Sequence, residues 1–348
     1  MKISIGLLAH NEEDAIASMI NQVFEQDIFL SETSEIEFIV VANGCTDHTV
    51  MVAEAAFKNM SGKLLNASYE VRVVVEAGKS NAWNKFVHEF SDPVAEYLIL
   101  LDADIEFGSS NLLSRLIEEL QSNPTAVASV DRPKKDIEKQ LNKSLLARLS
   151  IGVSGANQNG RSVISGQLYC MRGDIIRKIY MPIGLPVEDG FLRAMVVTDN
   201  FTHEDEPLKI IAVNDVHHYF EALLSPIKLY KHEKRLLIGS VINMMVYRYL
   251  WKKVAETGND AGVLIEKLNK DEPNWLNSLI NAYKLSEGFW IVKKDLFLKR
   301  IIQLIKGDQQ YRKKLLLFPI VLLATMVSTA IALDVNNFFR KNNGLGHW

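Results

Sequence analysis

Two aspartates stand one residue apart at the end of an aliphatic run in "LILLDADIEF", residues 98–107, and a second acidic pair, Glu188 and Asp189, sits in "PVEDGF". Alternate side chains of a strand share a face, so a strand through this run sends Asp102 and Asp104 the same way. Carboxylates that close repel unless a cation or a set of donors lies between them. An Asp-rich turn after a strand is the competing reading. Glu188 and Asp189 precede a helical run, where adjacent acids suit proton transfer or the positive end of a helix.

These residues need a frame to hold them. Up to about residue 135 the chain alternates short apolar runs with helical patterns. "KISIGLLA", "EIEFIVVAN", "YEVRVVVEA", "EYLILLDA" and "TAVASVD" read as strands, with "EEDAIASMINQVFEQ", "TVMVAEAAFKNM" and "SNLLSRLIEELQ" as the helices between them. The alternation predicts an α/β fold with an open, mostly parallel sheet, helices on both faces and right-handed crossovers. Ligands of such sheets bind beyond the carboxyl ends of the strands. The first four strands end in "AHNEE", "ANGCTDHT", "EAGKSNAWN" and "LDADIEF", all polar or Gly-bearing. From about residue 224 the pattern turns helical.

Taken in order, these pieces resemble the family-2 glycosyltransferases of the GT-A fold, which are inverting and use nucleotide sugars. "LLAHNEEDAI" matches the opening strand end, "VVANGCTDHT" the second loop, "AGKSNAWNK" the Gly-Lys loop and "LDADIEF" the DxD motif; "ISGQLYCMR" and "PVEDGFLRA" resemble the acceptor-side strand and the Glu-Asp motif. The resemblance covers roughly residues 1–235. It implies a catalytic unit over 1–223, with a nucleotide-sugar half to about 130 and an acceptor half over 131–223, followed by a helical region over 224–348.

Roles follow from the resemblance. Asn11, Glu12, Asn43 and Asp47 would contact the nucleobase and ribose, with helix capping as the rival for Asn11 and the favoured reading for Asp47. Lys79 would meet the diphosphate, and Asp102 the ribose or a metal-bound water. Asp104 would hold Mg²⁺ or Mn²⁺, whose charge eases departure of the diphosphate. Asp189 is cast as general base, with Glu188 assisting it or binding the acceptor, a hydroxyl of unspecified identity. His217 and His218 in "NDVHHYFEA" offer a further metal contact, against a structural role. Where processive members carry Gln-x-x-Arg-Trp, this chain has "HEKRL", His232–Leu236, so transfer of a single sugar is expected.

Composition narrows the partners. A formal net charge of −3, with no nucleic-acid-binding motif, points away from nucleic acid. Cys45 and Cys170 are the only cysteines and form no metal-type spacing, which suits a reducing compartment. Residues 315–333, "LLLFPIVLLATMVSTAIAL", carry no charge and follow Arg312, Lys313 and Lys314. Nineteen such residues are about enough to cross a bilayer, which would keep the catalytic part on the cytoplasmic face. A buried or interfacial helix is the rival. Two other functions stay open: a nucleotidyltransferase, which would want an Arg-containing Gly-rich loop that "AHNEED" lacks, and a non-catalytic sugar-nucleotide-binding or scaffold protein.

Overall fold

The computed structural model describes residues 1–31, 33–60, 66–139, 163–287, 290–298, 301, 302, 304 and 311–341. Within the last stretch the side chains of 311–317 and 320 fall outside the description, as do residues 140–162 of the expected acceptor half.

In chain order the elements are β1 Lys2–Ala9, α1 Ile16–Phe24, β2 Glu35–Asn43, α2 Thr49–Met60, β3 Ala67–Val74, α3 Lys79–Lys85, β4 Tyr97–Asp102, β5 Ile105–Phe107, α4 Leu112–Ser122, β6 Ala128–Val130 and β7 Lys134–Lys135. Then come β8 Leu168–Arg172, α5 Gly173–Ile176, α6 Glu188–Val197, β9 Ile210–Ala212, β10 His218–Phe220, α7 Pro226–Thr257, α8 Ala261–Asp271, α9 Trp275–Glu287, α10 Lys294–Phe297 and α11 Tyr311–Lys341. The main sheet runs β3-β2-β1-β4-β8-β6-β9, and a small sheet runs β5-β10-β7.

Both faces of the main sheet are covered, as the unbroken apolar strands require. Ile3, Ile5 and Leu7 of β1, Phe38 and Val40 of β2, and Ile99 and Leu101 of β4 pack with Ile16, Met19 and Ile20 of α1, Phe57 of α2 and Leu116 of α4. Their alternate neighbours Leu8, Ile39, Val41, Leu98 and Leu100 belong to a second cluster on the other face, with Trp83 of α3 and Phe191 of α6. That cluster continues without a break through Ile238, Val241 and Met245 of α7 to Ile331, Val335 and Phe339 of α11. The change of sequence character near 224 is thus not a break in the packing.

The sheet is mostly parallel, as expected, with one exception at its centre. β1 to β4 are mutually parallel, but β8 runs antiparallel to both β4 and β6. Apolar alternation encodes which faces of a strand are buried and carries no information about its direction. "ISGQLYCMR" therefore reads as a strand without revealing that it runs the other way.

The register sets up the site. Ala9 pairs with Ala42, Asn43 with Val74, and Leu8 with Asp102, so four strands end at one level. The order reverses between β1 and β4, which makes the space above them a topological switch point.

The uncharged segment 315–333 lies inside α11, which packs on α7. Asp334 accepts hydrogen bonds from Tyr230 Oη at 2.9 Å and meets Lys234 Nζ at 2.7 Å. Asn336 Oδ1, buried, accepts from the Ile291 N–H at 2.8 Å.

Candidate active site

The first two strand ends are stitched to each other. Asn11 adopts φ +56° and its Oδ1 accepts from the Thr46 N–H at 2.8 Å. Because α1 begins only at Ile16, Asn11 is not its cap but a tie between the loops. Asp47 does serve the start of α2: Oδ1 accepts from the Thr49 N–H at 3.0 Å and the Thr49 hydroxyl at 2.6 Å, while Oδ2 accepts from the Glu13 N–H at 3.2 Å. Thr49 Oγ1 in turn accepts from the Glu12 N–H at 2.7 Å. Asn43, at the last position of β2, is buried, and its Oδ1 has no partner among the described residues although its carbonyl lies 2.6 Å from His10 Nδ1. A buried acceptor without a donor is costly, so a ligand N–H has a place here.

Lys79 opens α3 and occupies the middle of the site. Its ammonium lies 2.7 Å from Asp102 Oδ1, 2.8 Å from Asp102 Oδ2, 3.0 Å from Glu188 Oε1 and 2.9 Å from the Gly166 carbonyl. The sequence suggests a diphosphate contact for Lys79; the structure pairs its charge with these protein oxygens. Burial alone would lower the Lys79 pKa, but Asp102 and Glu188 hold it raised. Asp102 is pushed up to about 6 by burial, against the pull of Lys79 and with the push of Glu188 and Asp104. A Cβ at Gly166 would lie 2.7 Å from Glu188 Oε1, so a side chain there would displace that carboxylate.

The strand that carries Asp102 ends there. Asp104 belongs to the turn between β4 and β5 and is exposed, so the expectation that a strand aims both aspartates together is corrected. Ile105 re-enters a strand and is buried, which places the turn in two residues. Asp104 still shares a field with its neighbours. Glu12 is pushed up to about 7, first by burial and then by Asp104, Asp102 and Asp47. Among the described residues no cluster of three His, Cys, Asp or Glu forms a ready-made metal cage.

Glu188 and Asp189 open α6. Asp189 Oδ1 accepts from the Gly190 N–H at 2.6 Å. Burial and the adjacent Glu188 raise its pKa, while that N–H, Lys79 and Arg235 oppose them. Helix α7 fixes this turn: Asn243 Nδ2 donates to the Val187 carbonyl at 3.1 Å and Tyr247 Oη to the Gly190 carbonyl at 2.7 Å. The approach depends on Gly239, whose Cβ would lie 2.2 Å from Val187 Cγ2. Beneath Lys79, the buried Trp83 indole donates to Tyr169 Oη at 2.6 Å.

His218 is not available to a cation as the sequence suggests. It is fully buried, with Nδ1 2.8 Å from Asp131 Oδ2 and Nε2 3.3 Å from Gln167 Oε1. Gln167 then accepts, through its carbonyl, from the Asp102 N–H at 2.9 Å. His218 thus braces the strand end that carries Asp102, and Asp131 and Gln167 emerge as supporting residues the sequence does not mark. Asp131 ends "TAVASVD", and its place at a strand end was the available signal. Asn243 and Tyr247 lie in an unremarkable helical pattern and gave none.

The fold has known counterparts. The model of the family "Glycosyl transferase family 2" matches residues 4–179, just over half of the 348. A solved structure of the mannosyltransferase PcManGT from Pyrobaculum calidifontis, in complex with GDP-Man and Mn²⁺, is 14% identical, with TM-score 0.52, covering 95% of this chain and 86% of its own. Glucosyl-3-phosphoglycerate synthase from Mycobacterium tuberculosis is 19% identical, with TM-score 0.47, over 71% of this chain and 79% of its own. No curated protein sequence matches the chain. With the GT-A architecture in place and the family's model matching from β1 to the residues just after α5, the chain belongs to glycosyl transferase family 2.

Proposed function

We propose that the chain moves one sugar from a nucleoside-diphosphate sugar to an acceptor hydroxyl, with inversion at the anomeric carbon. The observation that carries this reading is the Lys79 ammonium, which joins Asp102 of the donor side to Glu188 of the acceptor side in one hydrogen-bonded unit. The reacting bond would sit where the two halves meet. Asn43 Oδ1, buried and unpartnered among the described residues, suits a nucleobase N–H. Asp189, with its raised pKa, takes the acceptor proton as the acceptor oxygen bonds to the anomeric carbon and the bond to the diphosphate breaks. Lys79 holds Glu188 against Asp102, which fixes the first turn of α6 and so the position of Asp189.

A divalent cation fits the donor set. Asp104 is exposed on its turn, and with Asp102 and Asp47 it places negative charge around the raised Glu12 carboxyl. Mg²⁺ is commonly held by one or two carboxylates together with substrate phosphates, so a full protein cage is not required. When bound, Mg²⁺ or Mn²⁺ would neutralise charge on the departing diphosphate. The absence of Gln and Trp from "HEKRL" supports single transfer over polymer synthesis.

The test is Asp104→Asn, assayed for nucleoside diphosphate release over a Mn²⁺ titration. The expected outcome is weaker Mn²⁺ dependence and lower turnover together. Turnover and Mn²⁺ response equal to those of the unaltered protein would remove Asp104 from the site.

A further inference from the structure

Helix α11 is apolar on two opposite sides, and the described residues cover one of them. Ile331, Ala332, Val335 and Phe339 are buried against the body. Leu323, Met326, Val327 and Leu333 face away and are 65%, 58%, 48% and 48% exposed. Their spacing of three, one and six residues keeps them on one side of the helix. Burial is also graded along its length. Of Val321–Ala330 only Thr325 is buried, so the more apolar half is the less covered one.

That half presents no open hydroxyl. Thr325 donates to the Val321 carbonyl at 2.7 Å, Ser328 to Ala324 at 2.9 Å and Thr329 to Thr325 at 2.8 Å. Hydroxyls closed onto carbonyls four residues back suit a hydrocarbon surrounding, where an unmet polar group is expensive. The first turns of α7 lie beside α11 through the Tyr230 and Lys234 contacts with Asp334, and they add exposed Ile227, Leu229 and Tyr230 at 70%, 45% and 38%. Residues 226–237 and 312–341 together hold nine Lys or Arg against two acids, in a chain whose net charge is −3. Lys228 and Lys234 are paired with Glu221 and Asp334, and the excess of positive charge that remains in the sequence suits anionic headgroups.

Chain order then decides between crossing the bilayer and lying on it. Phe297 of α10 is buried in the body, and the chain is back in the same cluster from Ile331 onward. If α11 crossed, residues 298–310 would have to cross as well. Their sequence, "LKRIIQLIKGDQQ", carries Lys299, Arg300, Lys306 and Asp308 and is too short and too polar to span as a helix. We infer that the outer face of α11 between Leu323 and Leu333, with Ile227, Leu229 and Tyr230 of α7, is a docking surface for an anionic lipid bilayer, which α11 enters at the interface without spanning. The surface rests on residues outside the catalytic cluster, so its test is independent of sugar transfer.

The experiment is flotation of the full-length protein with phosphatidylcholine vesicles containing about 30% phosphatidylglycerol. The protein should float with the vesicles, and Leu323→Glu/Met326→Glu/Val327→Glu should lower binding at least about 10-fold. These side chains are exposed, so the melting temperature of the triple variant should match that of the parent. Vesicle binding that the triple variant retains in full, or an unaltered protein that never floats, overturns the inference. Loss of a dimer on light scattering with no change in flotation assigns the face to a second copy and overturns it too. Orientation has its own readout on vesicle-bound Lys294→Cys and Lys313→Cys in a Cys45→Ser background. An impermeant maleimide added outside should label both, whereas protection of Lys313→Cys alone means a span and refutes interfacial docking.

Discussion

The carboxylates of this site are distinguished by what each one touches. Asp102 is held by Lys79, Asp104 stands exposed on a turn, and Asp189 is half-buried at the start of α6 beside Glu188, which pairs with the ammonium. If Asp189 accepts the proton only as the transition state forms, Asp189→Asn should cut turnover by about 100- to 10,000-fold while donor affinity stays near its original value. Calorimetric donor binding and product release on one preparation check this; a collapse of affinity with turnover preserved at saturating donor would make Asp189 a binding residue. Glu12 gives a prediction in pH. Its pKa is raised from 4.5 to about 7, so the folded state holds the proton more tightly than the unfolded state does. Its ionisation therefore costs stability as pH rises through that window, fully above pH about 7 and not at all well below about 4.5. In metal-free protein, Glu12→Gln should melt higher than the parent above neutrality and equal to it in acid, as followed by circular dichroism. Most of these residues were legible in the chain as polar groups at strand ends. The engagement of Lys79 was not, because its partners come from β4, from Gly166 and from α6, and no local pattern encodes a contact between segments so far apart.

At the scale of elements, the strands and helices of the first 135 residues follow their periodicity closely, since burial on both faces imposes apolar runs and a one-sided helix face imposes its own spacing. Direction and partner choice are set elsewhere, which is why antiparallel β8 was hidden and why the turn holding Asp104 passed for strand. The seat of α6 on α7 was hidden as well. Gly239 reads as a lone glycine in a long helix, where it would usually cost stability relative to Ala. Here it admits Val187, and a Cβ would fall 2.2 Å from that side chain. Gly239→Ala should therefore destabilise the protein, by about 1–3 kcal/mol, rather than reward the better helix former. It should also lower kcat more than it raises KM for the donor, because the turn displaced is the one carrying Glu188 and Asp189. Urea unfolding and steady-state kinetics on the same variant measure both; a gain in stability would mean that α7 yields without disturbing the turn.

For the whole molecule, the sequence marks a change near residue 224, and the packing ignores it. The cluster that starts at Leu8 beneath the first site loop ends at Phe339, so α11 is part of what holds the catalytic sheet together. Removing residues 311–348 would take away Ile331, Val335 and Phe339 along with the partners of Lys234 and Ile291. Such a truncation should yield aggregated material instead of a clean soluble enzyme, which solubility after expression will show. The unbroken cluster also has a calorimetric meaning. A protein with two weakly joined cores melts in two steps, whereas this one should give a single endotherm whose van't Hoff and calorimetric enthalpies agree. A ligand of the folded state raises the midpoint of the entire cooperative unit to which it binds. Vesicles gripping the outer face of α11 should then shift the melting of the distant loops at the strand ends as much as that of the helix itself, so that heat would report on both ends of the molecule at once.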